Sequence, residues 1–262
     1  MYEKPIPLER ATHRRIFSPL AYSTVLNALV VPIVHREALR LASWFPTAWR
    51  MTDAGPELVV VRALVRNPKA TTTPRDLVTL PLILQAYPFL FDRAKSTATE
   101  LAVLYDTSIA EEPNDIGAPV LTPDGKVSRG AEYRFRALKV FARHLPMTGA
   151  ISELLGRLDL FEPWPLSFEV SGQTIGHSNL FVVRPAIFGK GALAPVVARF
   201  GVEAASLLGA HRLSLFRAGP LLAAARTMFG VPETPDVPAD HSTDLPADIS
   251  TAELDHALRG LE

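Results

Sequence analysis

The 262-residue chain contains no cysteine. That absence removes structural disulfides, thiolate metal ligands, iron–sulfur clusters and thiol nucleophiles together, and it fits a reducing compartment. Long apolar runs are missing as well. VLNALVVPIV (25–34) is too short to cross a bilayer, and AASLLGAHRLSLFRAGPLLAAA (204–225) carries His211, Arg212 and Arg217 where a span needs about twenty apolar residues. The opening MYEKPIPLER is charged and broken by proline, unlike the basic-then-apolar order of a secretory signal. A soluble, cytoplasmic protein without a membrane span is the expectation. Motifs that commit a chain to a reaction are absent too: there is no G-x-S-x-G, H-E-x-x-H or G-x-G-x-x-G. Gly189-Lys190-Gly191 lacks the earlier glycine and the following hydroxyl of a phosphate loop, and reads as a turn before a helix.

What is present describes a globular body with an acidic end. Apolar residues make up 48% of the chain and charged residues 21%, enough for a sizeable core. From Glu233 onward eight carboxylates face one arginine, Arg259, so this end carries −7 and the zero total leaves +7 on the body. VPETPDVPADHSTDLPAD (231–248) has the prolines, small polar residues and spaced acids of an extended linker. After it, Ser250 and Glu253 form a capping box, and Leu254, Leu258 and Leu261 share one face of a short helix suited to a partner. The organisation is a domain over 1–230, an acidic proline-rich linker over 231–249 and an amphipathic helix over 250–262.

Both periodicities occur in the body without regular strand–helix alternation. TAWRM (47–51) and ELVVVRALV (57–65) flank the turn signal DAGP, TELAVLYD (99–106) reads as a strand, and LSFEVSGQTIGHSNLFVVRP (166–185) reads as a hairpin turning near Gly172. Helical spacing recurs over 35–45, 80–87, 131–145, 147–158 and 194–216. The class is α+β: an antiparallel sheet with hairpins, packed against a cluster of helices.

Candidate site residues are few. His35 and Glu37 in PIVHRE would share a metal if the stretch were a strand, because alternate residues then face one way. In a helix they sit about 200° apart. Pro32 and the periodic Ala38, Leu39, Leu41, Ala42 and Phe45 favour the helix, with Glu37 near its N-terminus and in reach of Arg40. The seven histidines include no i, i+4 pair. His177 and His211 are the candidates for a pocket between sheet and helices. On the helix at 131–145, Phe135, Leu138, Phe141 and Leu145 form a buried stripe, and Arg136, Lys139 and Arg143 form a basic row on another face. Residues 126–143 hold six basic groups against Glu132, a candidate contact for anions or an acidic partner. Aromatics do not interleave with these bases, so nucleic acid is a poor fit. No cofactor or metal is expected.

Several stretches, in order, resemble the bacterial SapC family. They are PLER (7–10) with His13 and Tyr22, WFPTAW (44–49), VRALV (61–65), LPLILQAYPFLF (80–91), LAVLYDTS (101–108), TPDGKVS (122–128), LDLFEPWPLSFEV (158–170), NLFVV (179–183) and GAHRLSLF (209–216). Tyr87-Pro88-Phe89, Asp124-Gly125 and Leu160-Phe161-Glu162-Pro163 are the most specific pieces. Leu121-Thr122-Pro123 replaces the family's phenylalanine–aspartate pair, and Ser178-Asn179-Leu180-Phe181 its Ser-Gly-Leu-Tyr, as in a divergent member. The resemblance supplies no catalytic residues. It implies an accessory or binding role, linked through the family name to the bacterial surface layer and exercised through protein contacts. The alternative is an enzyme, or an enzyme's partner, using His177 or His211.

Overall fold

A computed structural model describes residues 4–230 apart from 12, 67–78, 98–99, 109, 111–115, 165, 171 and 190. The expected linker at 231–249 and the helix bearing Leu254, Leu258 and Leu261 lie outside the described residues. In chain order the elements are β1 (Pro5–Pro7), β2 (Arg15–Ile16), α1 (Ser23–Leu26), β3 (Val30–Pro32), α2 (His35–Ala42), β4 (Thr47–Thr52) and β5 (Gly55–Val61). There follow α3 (Leu82–Gln85), β6 (Phe89–Phe91), β7 (Val103–Asp106), β8 (Ala118–Pro119), α4 (Arg129–Arg157), β9 (Phe161–Pro163) and β10 (Leu166–Val170). Last come β11 (Gln173–His177), β12 (Leu180–Val183), α5 (Ala194–Phe200), α6 (Val202–Ser214) and α7 (Ala218–Met228). Short 3-10 turns join several of them.

The centre is a five-stranded antiparallel sheet in the order β3-β5-β4-β12-β9. Its second strand, β5, flanked by β3 and β4, explains the uninterrupted apolar run of the sequence. Leu58, Val59, Val60 and Val61 are each at most 1% exposed because both faces of the sheet are covered. Leu58 and Val60 join Trp49, Phe141 and Ile151 in the larger core. Val59 and Val61 join Ala48, Leu166, Phe168, Leu180 and Ala225 in a second core. Each such side chain contributes about 1.5–3 kcal/mol by leaving water. Three more antiparallel sheets, β1-β7-β6, β10-β11 and β2-β8, complete an α+β fold.

The expected β4–β5 hairpin forms, with Trp49 opposite Leu58 and Arg50 opposite Glu57. Three expectations change. The 166–185 stretch is not one hairpin: β10 and β11 pair with each other, while β12 leaves them to join the central sheet between β4 and β9. Gly176 is needed in that hairpin, since at φ +136° an added Cβ would meet the Leu166 carbonyl oxygen at 2.2 Å. The helices expected over 131–145 and 147–158 are one helix, α4, of 29 residues with Pro146 inside it. An interior proline costs about 3 kcal/mol. The buried stripe of Leu138, Phe141, Thr148, Ile151 and Leu155 stays in phase across it and offsets that cost. Conversely the single helix expected over 194–216 is cut at Gly201, whose φ of 60° and ψ of −140° end α5 and set off α6.

Candidate functional site

α4 carries the basic row where helical spacing places it. Arg136, Lys139 and Arg143 are all exposed, on the face away from Leu138 and Phe141. None of the three is ion-paired among the described residues. The other bases of the segment are engaged. Arg134 turns inward and donates to the carbonyls of Phe17 (2.6 Å) and Gln85 (3.2 Å). Lys126 pairs with Asp124 at 3.0 Å, and the Arg129 guanidinium lies 5.9 Å from the Tyr133 ring centre. The row is therefore shorter than the six bases of the sequence, and it has an apolar neighbour. Tyr133, Val140 and Met147 are exposed at seven-residue spacing, so they form a nearly straight line beside Arg136 and Arg143. Side by side, the two rows form an exposed surface that is cationic and greasy at once.

The two candidate pocket histidines, His177 and His211, meet different partners, whereas His35 and His144 pack edge to face with ring centres 5.4 Å apart. His211 on α6 is fully buried in a closed hydrogen-bond circuit. The amide of Val183 donates to its Nε2 at 3.2 Å, which makes Nε2 the acceptor and leaves Nδ1–H to donate to Thr47 Oγ1 at 3.0 Å. Thr47 Oγ1 in turn donates to Ser214 Oγ (2.9 Å), and Ser214 Oγ donates to the His211 carbonyl (2.7 Å) while accepting from the Thr47 amide (2.9 Å). Every polar atom has a partner, and burial pushes the ring's pKa down to about 3. This neutral imidazole ties α6 to β4 and β12. His177, at the end of β11, is half-buried with Nε2 3.3 Å from the Ala63 carbonyl, and burial lowers its pKa also.

Pro32 of PIVHRE closes β3 rather than entering a helix, α2 starts at His35 as the spacing from there predicts, and His35 and Glu37 meet different neighbours. His35, the first residue of α2, places its amide 3.0 Å and its Nδ1 2.9 Å from Thr148 Oγ1 on α4, and its Nε2 3.3 Å from Glu203 at the start of α6. One side chain thus pins three helices. Glu37 is buried on the other side. Its carboxylate accepts from the amides of Val34 (3.1 Å) and Leu82 (2.8 Å) and from Arg40 (3.4 Å), capping both α2 and α3. Burial outweighs these donors and raises its pKa to about 7.

A feature that sequence reasoning missed is a cleft of about 670 Å3 between α1, the β3–β5–β4 part of the central sheet, β6 and α4. Arg50, Arg66 and Arg93 line it together with Glu57, Ser23, Thr24 and Asn27, and Ile83, Leu90, Phe91 and Phe141 give it an apolar part. Arg50 and Glu57, register partners in the β4–β5 hairpin, lie 2.6 Å apart, and Arg93 is 3.9 Å from the same carboxylate. Arg62 holds the α1 side of the cleft in place by donating to the carbonyls of Val25 (2.7 Å) and Ala28 (3.1 Å). The facing of Arg50 and Glu57 was legible once the hairpin was drawn. The arrival of α1 and β6 beside them is long-range and left no local signal.

Among the described residues no helix is long and apolar enough to cross a membrane. No curated protein and no solved structure matches the chain. The SapC family model matches residues 8–190, a stretch that contains both α4 and every residue lining the cleft.

Proposed function

The chain belongs to the SapC family, and from that premise we propose that it is an accessory or binding protein acting through protein contacts, with the outer face of α4 as its contact surface. The observation that carries this reading is the pairing of exposed Arg136, Lys139 and Arg143 with exposed Tyr133, Val140 and Met147. Such a surface suits an acidic amphipathic segment, whose carboxylates meet the bases while its apolar side covers the line of three. His211 lends no support to catalysis, since it is spent on its own hydrogen-bond circuit. A cytoplasmic setting and a link to bacterial surface-layer biogenesis belong to the same proposal; the first is supported by composition and the second by the family's name.

The acidic end of the chain is a built-in competitor for this surface. Its −7 charge complements the basic row. Binding of a polyglutamate peptide, followed by fluorescence anisotropy from low to high salt, separates these contributions. Arg136→Glu with Lys139→Glu and Arg143→Glu is expected to weaken binding at least ~10-fold at low salt, because exposed charges act through a Debye length of about 10 Å at 0.1 M. Deleting 231–262 is expected to strengthen binding at low salt and to leave it unchanged at high salt. Affinity that ignores the charge reversal at every salt concentration would remove the surface from the proposal.

A further inference from the structure

We propose that the cleft between α1, the central sheet, β6 and α4 is a binding site for a small organic anion, one with a carboxylate or phosphate head and an apolar body. This goes beyond contact-making through α4, because the cleft opens elsewhere and is built differently.

Size is the first argument. About 670 Å3 falls in the range of roughly 300–1,000 Å3 typical of small-molecule sites. Charge is the second. Three guanidinium groups, Arg50, Arg66 and Arg93, line a space containing one carboxylate, Glu57. Glu57 is committed mainly to Arg50, at 2.6 Å, while Arg93 stands off at 3.9 Å and Arg66 has no ion pair among the described residues. Two positive charges are left over, on the side chain whose planar fork matches carboxylate and phosphate oxygens two at a time. The third argument is division of labour. Ser23, Thr24 and Asn27 offer short polar groups on the α1 side, whereas Leu90, Phe91 and Phe141 form an apolar wall with the two rings 6.4 Å apart. A bare inorganic anion would use only the first set and a neutral lipid only the second. A ligand with a charged head and an apolar body uses both.

The Arg62 bonds to Val25 and Ala28 matter here as preorganisation, since they hold the α1 wall at its distance from the sheet before any ligand arrives. The Arg50–Glu57 pair plays a similar part. It anchors one guanidinium in the sheet and leaves Arg66 and Arg93, both on exposed positions, to close on the head.

Titration calorimetry on the full chain tests the site with four probes: octanoate, octyl phosphate, inorganic phosphate and octylammonium. Saturable one-to-one binding is expected for at least one of the octyl anions. The preferred head then identifies the source as a carboxylic acid or a phosphate ester. Inorganic phosphate is expected to bind at least 10-fold more weakly than the better octyl anion, and octylammonium not to bind. Arg66→Met with Arg93→Met should lower the better anion's affinity at least 10-fold while leaving the melting temperature unchanged, both side chains being exposed. Asn27→Trp, which fills the cleft without altering charge, should lower it as well. No saturable binding of either octyl anion, equal binding of octylammonium, or an affinity indifferent to both variants would overturn the site. The α4 charge reversal is expected to leave octyl-anion binding intact, so failure here and failure of the contact surface are distinguishable.

Discussion

Replacing His211 with alanine is expected to cost the folded state about 3–5 kcal/mol, among the largest effects of any single substitution in this chain. The imidazole accepts from the Val183 amide and donates to Thr47, and both groups are fully buried. Removing it leaves an orphaned amide in the central sheet and a cavity beside Trp49, whose ring centre lies 4.7 Å away. Urea unfolding should show a lower midpoint with an unchanged slope. A loss within 1 kcal/mol would mean that the circuit is not the structural tie described above.

The same residue sets the direction of the acid response. Its folded pKa is depressed to about 3 from an ordinary 6.5, because a buried charge is disfavoured. Between those values the unfolded chain binds a proton that the folded chain refuses. Stability is therefore fully present above about pH 6.5 and falls as the pH drops toward 3, by on the order of 5 kcal/mol. His35, His144 and His177, whose pKa values are also lowered by burial, act in the same direction. His211→Gln should flatten this limb.

Glu37→Ala is expected to cost about 2–4 kcal/mol, since the amides of Val34 and Leu82 lose their shared acceptor at the starts of two helices. Its pH signature is opposite to that of His211. With a folded pKa raised to about 7, Glu37 keeps its proton in the fold after the unfolded chain has lost it. Its contribution is present below about pH 4.5 and is lost as the pH rises toward 7, by on the order of 3 kcal/mol. In the native chain the two slopes oppose each other between pH 4.5 and 6.5. Glu37→Gln should unmask the rise with pH, and His211→Gln the fall. Parallel stability curves for the two variants would refute both assignments.

Much of this fold was legible because its signals are local. The Val59-Val60-Val61 run called for a strand and DAGP for the turn before it, and both are found, the strand ending at Val61; its burial on both faces became visible only in the fold. The basic row of α4 followed from spacing alone. What was not legible depends on the surroundings. Pro146 reads as a helix end until the stripe on either side of it is known to lie on one continuous core. The 166–185 stretch reads as one hairpin because nothing local says that Leu180 prefers Arg50 on β4 to a partner on β11. Arg134 and Arg136 look equivalent in the sequence, yet one donates to buried carbonyls and the other faces water. The cleft needed four separate segments to converge.

The most direct test of the central claim is a photo-crosslinking amino acid placed at Val140, the middle of the apolar row and beside the basic one, in cells producing the full chain. The account predicts a discrete protein adduct that disappears when Arg136, Lys139 and Arg143 are reversed to glutamate. No adduct at this position, or one unchanged by the reversal, would contradict it.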